Sequence, residues 1–178
     1  MLVLGGCAST NVAVTPEKQV TENYLHEENM HGNIYGLYQY YPSVGTGENK
    51  SLLIRTNGAR VHVIQYSVTA GTAPTDLFYY ENVTVSNNGT VVPVSQRNRI
   101  NVTNSSAKWF SEPTVTDKGD LIDRDLLVGE KREGGQTDAI PHHWILRPNE
   151  TYLIQGVNRA NSDAEQNYKI IWWEELVN

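Results

Sequence analysis

Apolar residues along the chain fall in short alternating or paired runs, and no segment after residue 51 keeps a 3.6-residue apolar period for three turns. The pattern predicts strands, with helix a minor component. Ser51 to Thr56 runs into Asn57-Gly58, a pair that tolerates positive φ and so closes a tight turn. Arg60 to Thr69 then alternates over a full strand, with Val61 and Val63 pointing inward and His62 on the opposite face. Leu77 to Tyr80 with Val83 to Val85 form the next strand, and Asn87-Asn88-Gly89 turns the chain into Thr90 to Val94. Pro93 lacks a ladder donor, which sets that run at a sheet edge or a bulge. Trp109-Phe110, Leu121-Ile122 with Leu126 to Val128, Trp144 to Leu146, Thr151 to Val157 and Tyr168 to Glu174 complete the series.

About eight short strands in about 125 residues, with no helices to cross over a parallel sheet, point to an all-β fold: an antiparallel β-sandwich, jelly-roll-like. The long loops at 105–120 and 129–141 favour a jelly roll over an up-and-down barrel. An immunoglobulin-like sandwich has less support in a chain with one cysteine.

Residues 8–50 read differently. They are poor in periodicity and rich in Thr, Asn, Glu, Gly and Tyr, so the chain divides into an N-terminal leader and extended arm at 1–50 and a sandwich domain at 51–178. Within the arm, Thr21 to Glu28 suits a short turn of helix, and Ile34 to Tyr41 suits a strand added to a sheet edge, its own or a neighbour's. Leu4-Gly5-Gly6-Cys7 looks like a bacterial lipobox, but the residues before Cys7 include no basic one and only four apolar ones, too few for an export signal. No stretch approaches the length of a membrane span.

Composition narrows the function classes. Fourteen Lys+Arg against 20 Asp+Glu give a net charge of −6, which argues against nucleic acid as a partner. Ten Tyr and 4 Trp against 2 Phe favour positions that are apolar on one side and wet on the other, as at interfaces. The single Cys7 forms neither an internal disulfide nor a structural zinc site.

Catalytic patterns are sparse. His142-His143 beside Asp138 is the pair closest to a metal motif, but adjacent strand residues face opposite ways; His26, His31 and His62 read as solvated or partner-facing. There is no Gly-x-Ser-x-Gly elbow, and Gly129 to Gly135 lacks the spacing of a phosphate loop. Asp120, Asp123 and Asp125, or Glu174 and Glu175, pair carboxylates without showing a cleft. Six Asn-x-Ser/Thr sequons follow from an Asn- and Thr-rich composition. The expectation is a non-enzymatic protein with no cofactor and no bound metal.

Leu25 to Glu28, Val61 to Val63, Val92 to Arg99, Ser111 to Ile122, Trp144 to Ile154, Asn158 to Asn161 and Tyr168 to Glu175 are, in that order, similar to a family of small virion proteins of tailed bacteriophages, and the resemblance covers roughly residues 24–175. It implies a β-sandwich that decorates or cements the capsid on the outer surface of the virion, bridging subunits of the major capsid protein. The arm tyrosines Tyr35, Tyr38, Tyr40 and Tyr41 are the expected contacts, with Arg97 and Arg99 pairing with carboxylates across an interface. Self-association is expected, a homotrimer before a dimer, with no nucleic acid and no membrane as partner. Two other functions fit the same composition: a host-surface or carbohydrate-binding adhesin using Trp172-Trp173 or Trp109 as an aromatic platform, and a lipoprotein anchored through Cys7.

Overall fold

A computed structural model describes Asn29 and residues 31–71, 73–100, 102–127 and 144–176. His26, Cys7, Asp138, His142 and His143, and the predicted helical turn at 21–28, lie outside the described residues.

The described chain forms thirteen strands: β1 (Ile34–Val44), β2 (Asn49–Arg55), β3 (Ala59–Thr69), β4 (Thr75–Glu81), β5 (Thr84–Asn87), β6 (Thr90–Val91), β7 (Ser95–Gln96), β8 (Lys108–Ser111), β9 (Thr114–Asp117), β10 (Asp120–Leu127), β11 (Trp144–Leu146), β12 (Thr151–Asn158) and β13 (Ala164–Leu176). One sheet has the order β11-β3-β13-β1-β7 and the second β10-β4-β12-β2-β8-β6, with β5 and β9 forming a small third sheet. Eight of these strands pair in a nested way, β1 with β13, β2 with β12, β3 with β11 and β4 with β10, all antiparallel. Such nesting is a long two-stranded ribbon rolled on itself, so the fold is the expected jelly-roll sandwich and not an immunoglobulin one.

The two large sheets enclose the main core. Alternate residues of each strand supply it: Tyr35, Leu37 and Tyr41 from β1, Leu52 and Ile54 from β2, Leu77 and Tyr79 from β4, and Tyr168, Ile170 and Trp172 from β13. On the far side of the second sheet, Leu53, Val83 and Leu153 form a separate cluster, against which Val85 of β5 and Val115 of β9 pack. The small sheet is thus a lid over an otherwise bare apolar face.

Three expectations need correction. Residues 34–44 are no free arm: β1 is a strand of the sandwich's own sheet, paired with β13 from Ile34 to Tyr41 and again at Val44, because every second residue of Tyr35-Gly36-Leu37 and its neighbours meets the core. The domain boundary at residue 51 therefore cuts through the sandwich, whose first strand begins at Ile34. The run from Leu77 to Val85 is two strands, because Asn82 at φ 61° breaks the extended backbone between β4 and β5. Asn57 at φ 28° and Gly58 at φ 83° make the turn between β2 and β3 that their sequence predicts.

Candidate interaction surface on the outer face of β1

Strand alternation splits the four arm tyrosines into two pairs. Tyr35 and Tyr41 point into the core, where Tyr35 stacks on Trp172 at 6.0 Å and Tyr41 meets the edge of Tyr168 at 5.8 Å. Burial raises the pKa of both hydroxyls above the ordinary 10.0. Neither is available to a partner. Tyr38 and Tyr40 stand on the outer face, 59% and 44% exposed. The Tyr40 hydroxyl donates to Glu165 Oε2 at 2.9 Å, and that bond to a carboxylate raises its pKa.

The register of β1 on β13 sets Tyr38 opposite Lys169 and Gly36 opposite Ile171. On the other side of β1, Arg97 N–H donates to Ile34 O at 2.8 Å, which brings its side chain beside Gly36. A Cβ at Gly36 would lie 3.8 Å from Arg97 Nε, so the glycine leaves a depression between Arg97 and Ile171. Gly36, Tyr38, Ser95, Arg97 and Lys169 line one open groove of about 540 Å³. Among the described residues no carboxylate pairs with Arg97 or Lys169, so the groove carries two uncompensated cations beside an exposed phenol ring.

Arg99 lies apart, in a second groove of about 290 Å³ with Val91, Val102 and Thr103. The loop that carries it is held at both ends. Gln96 Oε1 accepts from Thr103 N at 2.7 Å, and Gln96 Nε2 donates to Thr103 Oγ1 at 3.0 Å. Further on, Glu174 reaches from β13 into the next turn. Its carboxylate accepts from Ser105 Oγ, from Ser106 N at 2.8 Å and Oγ at 2.6 Å, from Ala107 N at 3.2 Å and from Trp172 Nε1 at 2.9 Å. Between these clamps the loop projects Arg97, Arg99, Ile100 and Val102 outward, whereas Asn98 turns in to donate to Asn29 O at 3.0 Å.

The structure therefore joins Tyr38 and Arg97 in one surface, leaves Tyr40 next to it, sets Arg99 in a separate groove, and removes Tyr35 and Tyr41. Lys169 is the member that sequence reading missed. Its signal was parity: Ile170 and Trp172 are core positions, so Lys169 on the same strand must face out.

Other candidates resolve as structural. Trp109, Trp172 and Trp173 are all buried, at 1%, 0% and 6% exposure, so none is a sugar-stacking platform. Alternation would bury only one of the last pair; Trp173 is covered on the outer face by Ile34, Ile171 and a His62 ring stacked at 3.7 Å. His62 is accordingly buried and not solvated, with Nε2 3.3 Å from Glu175 Oε2. Glu174 and Glu175 point to opposite faces, and Asp120 and Asp125 are held separately by Asn82 and Tyr66. Among the described residues no helix is long and apolar enough to cross a membrane.

No protein-family model matches the chain, and a search of curated proteins found none significantly similar to it.

Proposed function

We propose that this protein is a structural component of a bacteriophage virion that decorates or cements the capsid from outside, contacting the major capsid protein through the outer face of β1. One observation carries the reading: Tyr38 and Tyr40 stand exposed in a row beside Arg97 and Lys169, which have no counter-charge among the described residues. A rigid sheet face that holds aromatic rings and unpaired cations in the open is suited to a protein partner with carboxylates at its surface. The colinear resemblance to small phage virion proteins points the same way, and the jelly roll supplies a stiff support for such a face. The role is one of binding and not of catalysis, and capsid reinforcement follows from mass action: a protein that binds only the assembled shell stabilises it.

Co-sedimentation of the purified chain with assembled heads lacking it tests the reading. Saturable binding in simple proportion to shell subunits, weakened by Tyr38→Ala combined with Lys169→Ala, is the expected result. Absence of binding by the unaltered chain overturns it.

A further inference from the structure

Among the described residues, two long strands on opposite flanks of the sandwich leave main-chain groups without a strand beside them. The first is β1. Because Arg97 N–H bonds Ile34 O, the even residues of β1 aim their main-chain groups away from β13. The β7 ladder covers only Tyr35 and Gly36. Continuing that register sets Pro93 across from Tyr38, and proline has no N–H to extend the ladder. The N–H and C=O groups of Tyr38 and Tyr40 thus meet no strand among the described residues.

The second is β10, which among the described residues pairs with β4 alone. It exposes Leu121, Ile122 and Leu126 at 55%, 42% and 58%. An eight-residue edge strand with aliphatic side chains in water is a template for another strand.

The flanks also differ in charge. The stretch Thr90 to Lys108, beside the β1 edge, holds Arg97, Arg99 and Lys108 and no carboxylate. The stretch Thr114 to Leu127 holds Asp117, Asp120, Asp123 and Asp125 against Lys118 and Arg124. Of those two cations, Lys118 is engaged by Gln155 at 2.8 Å and Arg124 by Asp76 at 3.4 Å.

We infer that a second copy of this chain fills the β1 edge: β10 of one copy adds as a strand to β1 of the next, acidic flank against basic flank. The two surfaces differ, so the contact is head to tail and a small closed ring is its natural product. The contact involves only this chain and stands whether or not the capsid reading holds.

Sedimentation equilibrium of the full chain over a range of concentrations is the test, with four variants. Tyr40→Pro deletes an N–H that points away from β13 and so spares the β13 ladder. Tyr40→Ala removes the ring and keeps the N–H. Asp120→Lys with Asp123→Lys reverses one flank, and Arg97→Glu with Arg99→Glu reverses the other, so the test survives if the proline variant fails to fold.

The unaltered chain is expected to associate reversibly. Tyr40→Pro and each charge reversal should weaken association by about tenfold or more, and Tyr40→Ala should not. Mixing the two charge-reversed chains should restore association, since each then offers the other an oppositely charged edge. A monomer at every concentration, or an oligomer that neither the proline nor the reversals weaken, overturns the inference.

Discussion

The hydroxyl of Tyr168 sits in the space above Gly156, where any side chain would have to be. Both residues are on the inner faces of facing sheets, and Tyr168, fully buried, donates to Gln166 Oε1 at 3.0 Å. A methyl group at Gly156 would collide with the Tyr168 hydroxyl and lie 2.9 Å from Gln166 Oε1. Gly156→Ala should therefore destabilise the fold by about 1–3 kcal/mol through overpacking. Adding Tyr168→Phe should recover part of that loss, and a double-mutant cycle from urea unfolding measures the coupling.

Glu174 is the brace of the loop at 102–107. Five donors from Ser105, Ser106, Ala107 and Trp172 converge on one carboxylate that is 7% exposed. Glu174→Ala strands those donors and should cost about 2 kcal/mol or more. Hydrogen exchange at the Ser106 and Ala107 amides should accelerate before that of the β12 amides, since the loop opens first. Equal acceleration in both places would show that the brace is global.

The jelly roll was legible because its strands alternate and its turns are spelled by Asn-Gly and Pro. What the sequence hid was nesting. A local pattern reports which face of Tyr35 or Leu37 is apolar, but not that β13, more than a hundred residues later, lies alongside. The stretch from Ile34 to Tyr41, rich in Tyr and Gly, read as an arm because tyrosine serves equally in a core with its hydroxyl satisfied and on a surface. The site was half legible for the same reason. Four tyrosines in one strand carry no parity by themselves, and only knowledge of which face meets β2 separates Tyr38 and Tyr40 from Tyr35 and Tyr41. His62 and Trp173 follow alternation to the outer face and are buried all the same, because that face of the first sheet carries an apolar cluster of its own.

Acid should weaken the fold at two exposed carboxylates. The hydrogen bond from Arg60, and then that from His62, holds the pKa of Glu175 below its ordinary 4.5. At Glu48 the Gly45 amide and then Lys50 do the same. A carboxyl group depressed in the folded state contributes stability above its unfolded pKa and loses it as pH falls through the folded value. The melting temperature should thus drop as pH is lowered below 4.5, and Glu175→Gln with Glu48→Gln should flatten that drop by lowering the melting temperature at pH 7 while changing little at about pH 3. A thermal-melt series from pH 7 to about 3 checks the slope. An unaltered slope in the double variant would place the acid sensitivity elsewhere.

Partner binding and folding should separate along β1 by parity. Tyr38 and Tyr40 face water, so Tyr38→Ala and Tyr40→Ala should shift stability by no more than about 0.5 kcal/mol. Tyr35 and Tyr41 fill the core against Trp172 and Tyr168, and replacing either by Ala should cost about 3–5 kcal/mol, as for other large aromatic truncations. Pooling the four as one set of contact residues would then confuse unfolding with loss of binding. Urea midpoints measured beside head co-sedimentation resolve the two effects. The outer pair should retain the native midpoint while binding falls, and Tyr35→Phe, which keeps the ring and loses only a 2.8 Å bond to Thr103, should leave both nearly unchanged. If Tyr38→Ala and Tyr40→Ala lower the midpoint as much as Tyr35→Ala does, the two faces of β1 are not the separate surfaces that alternation makes them.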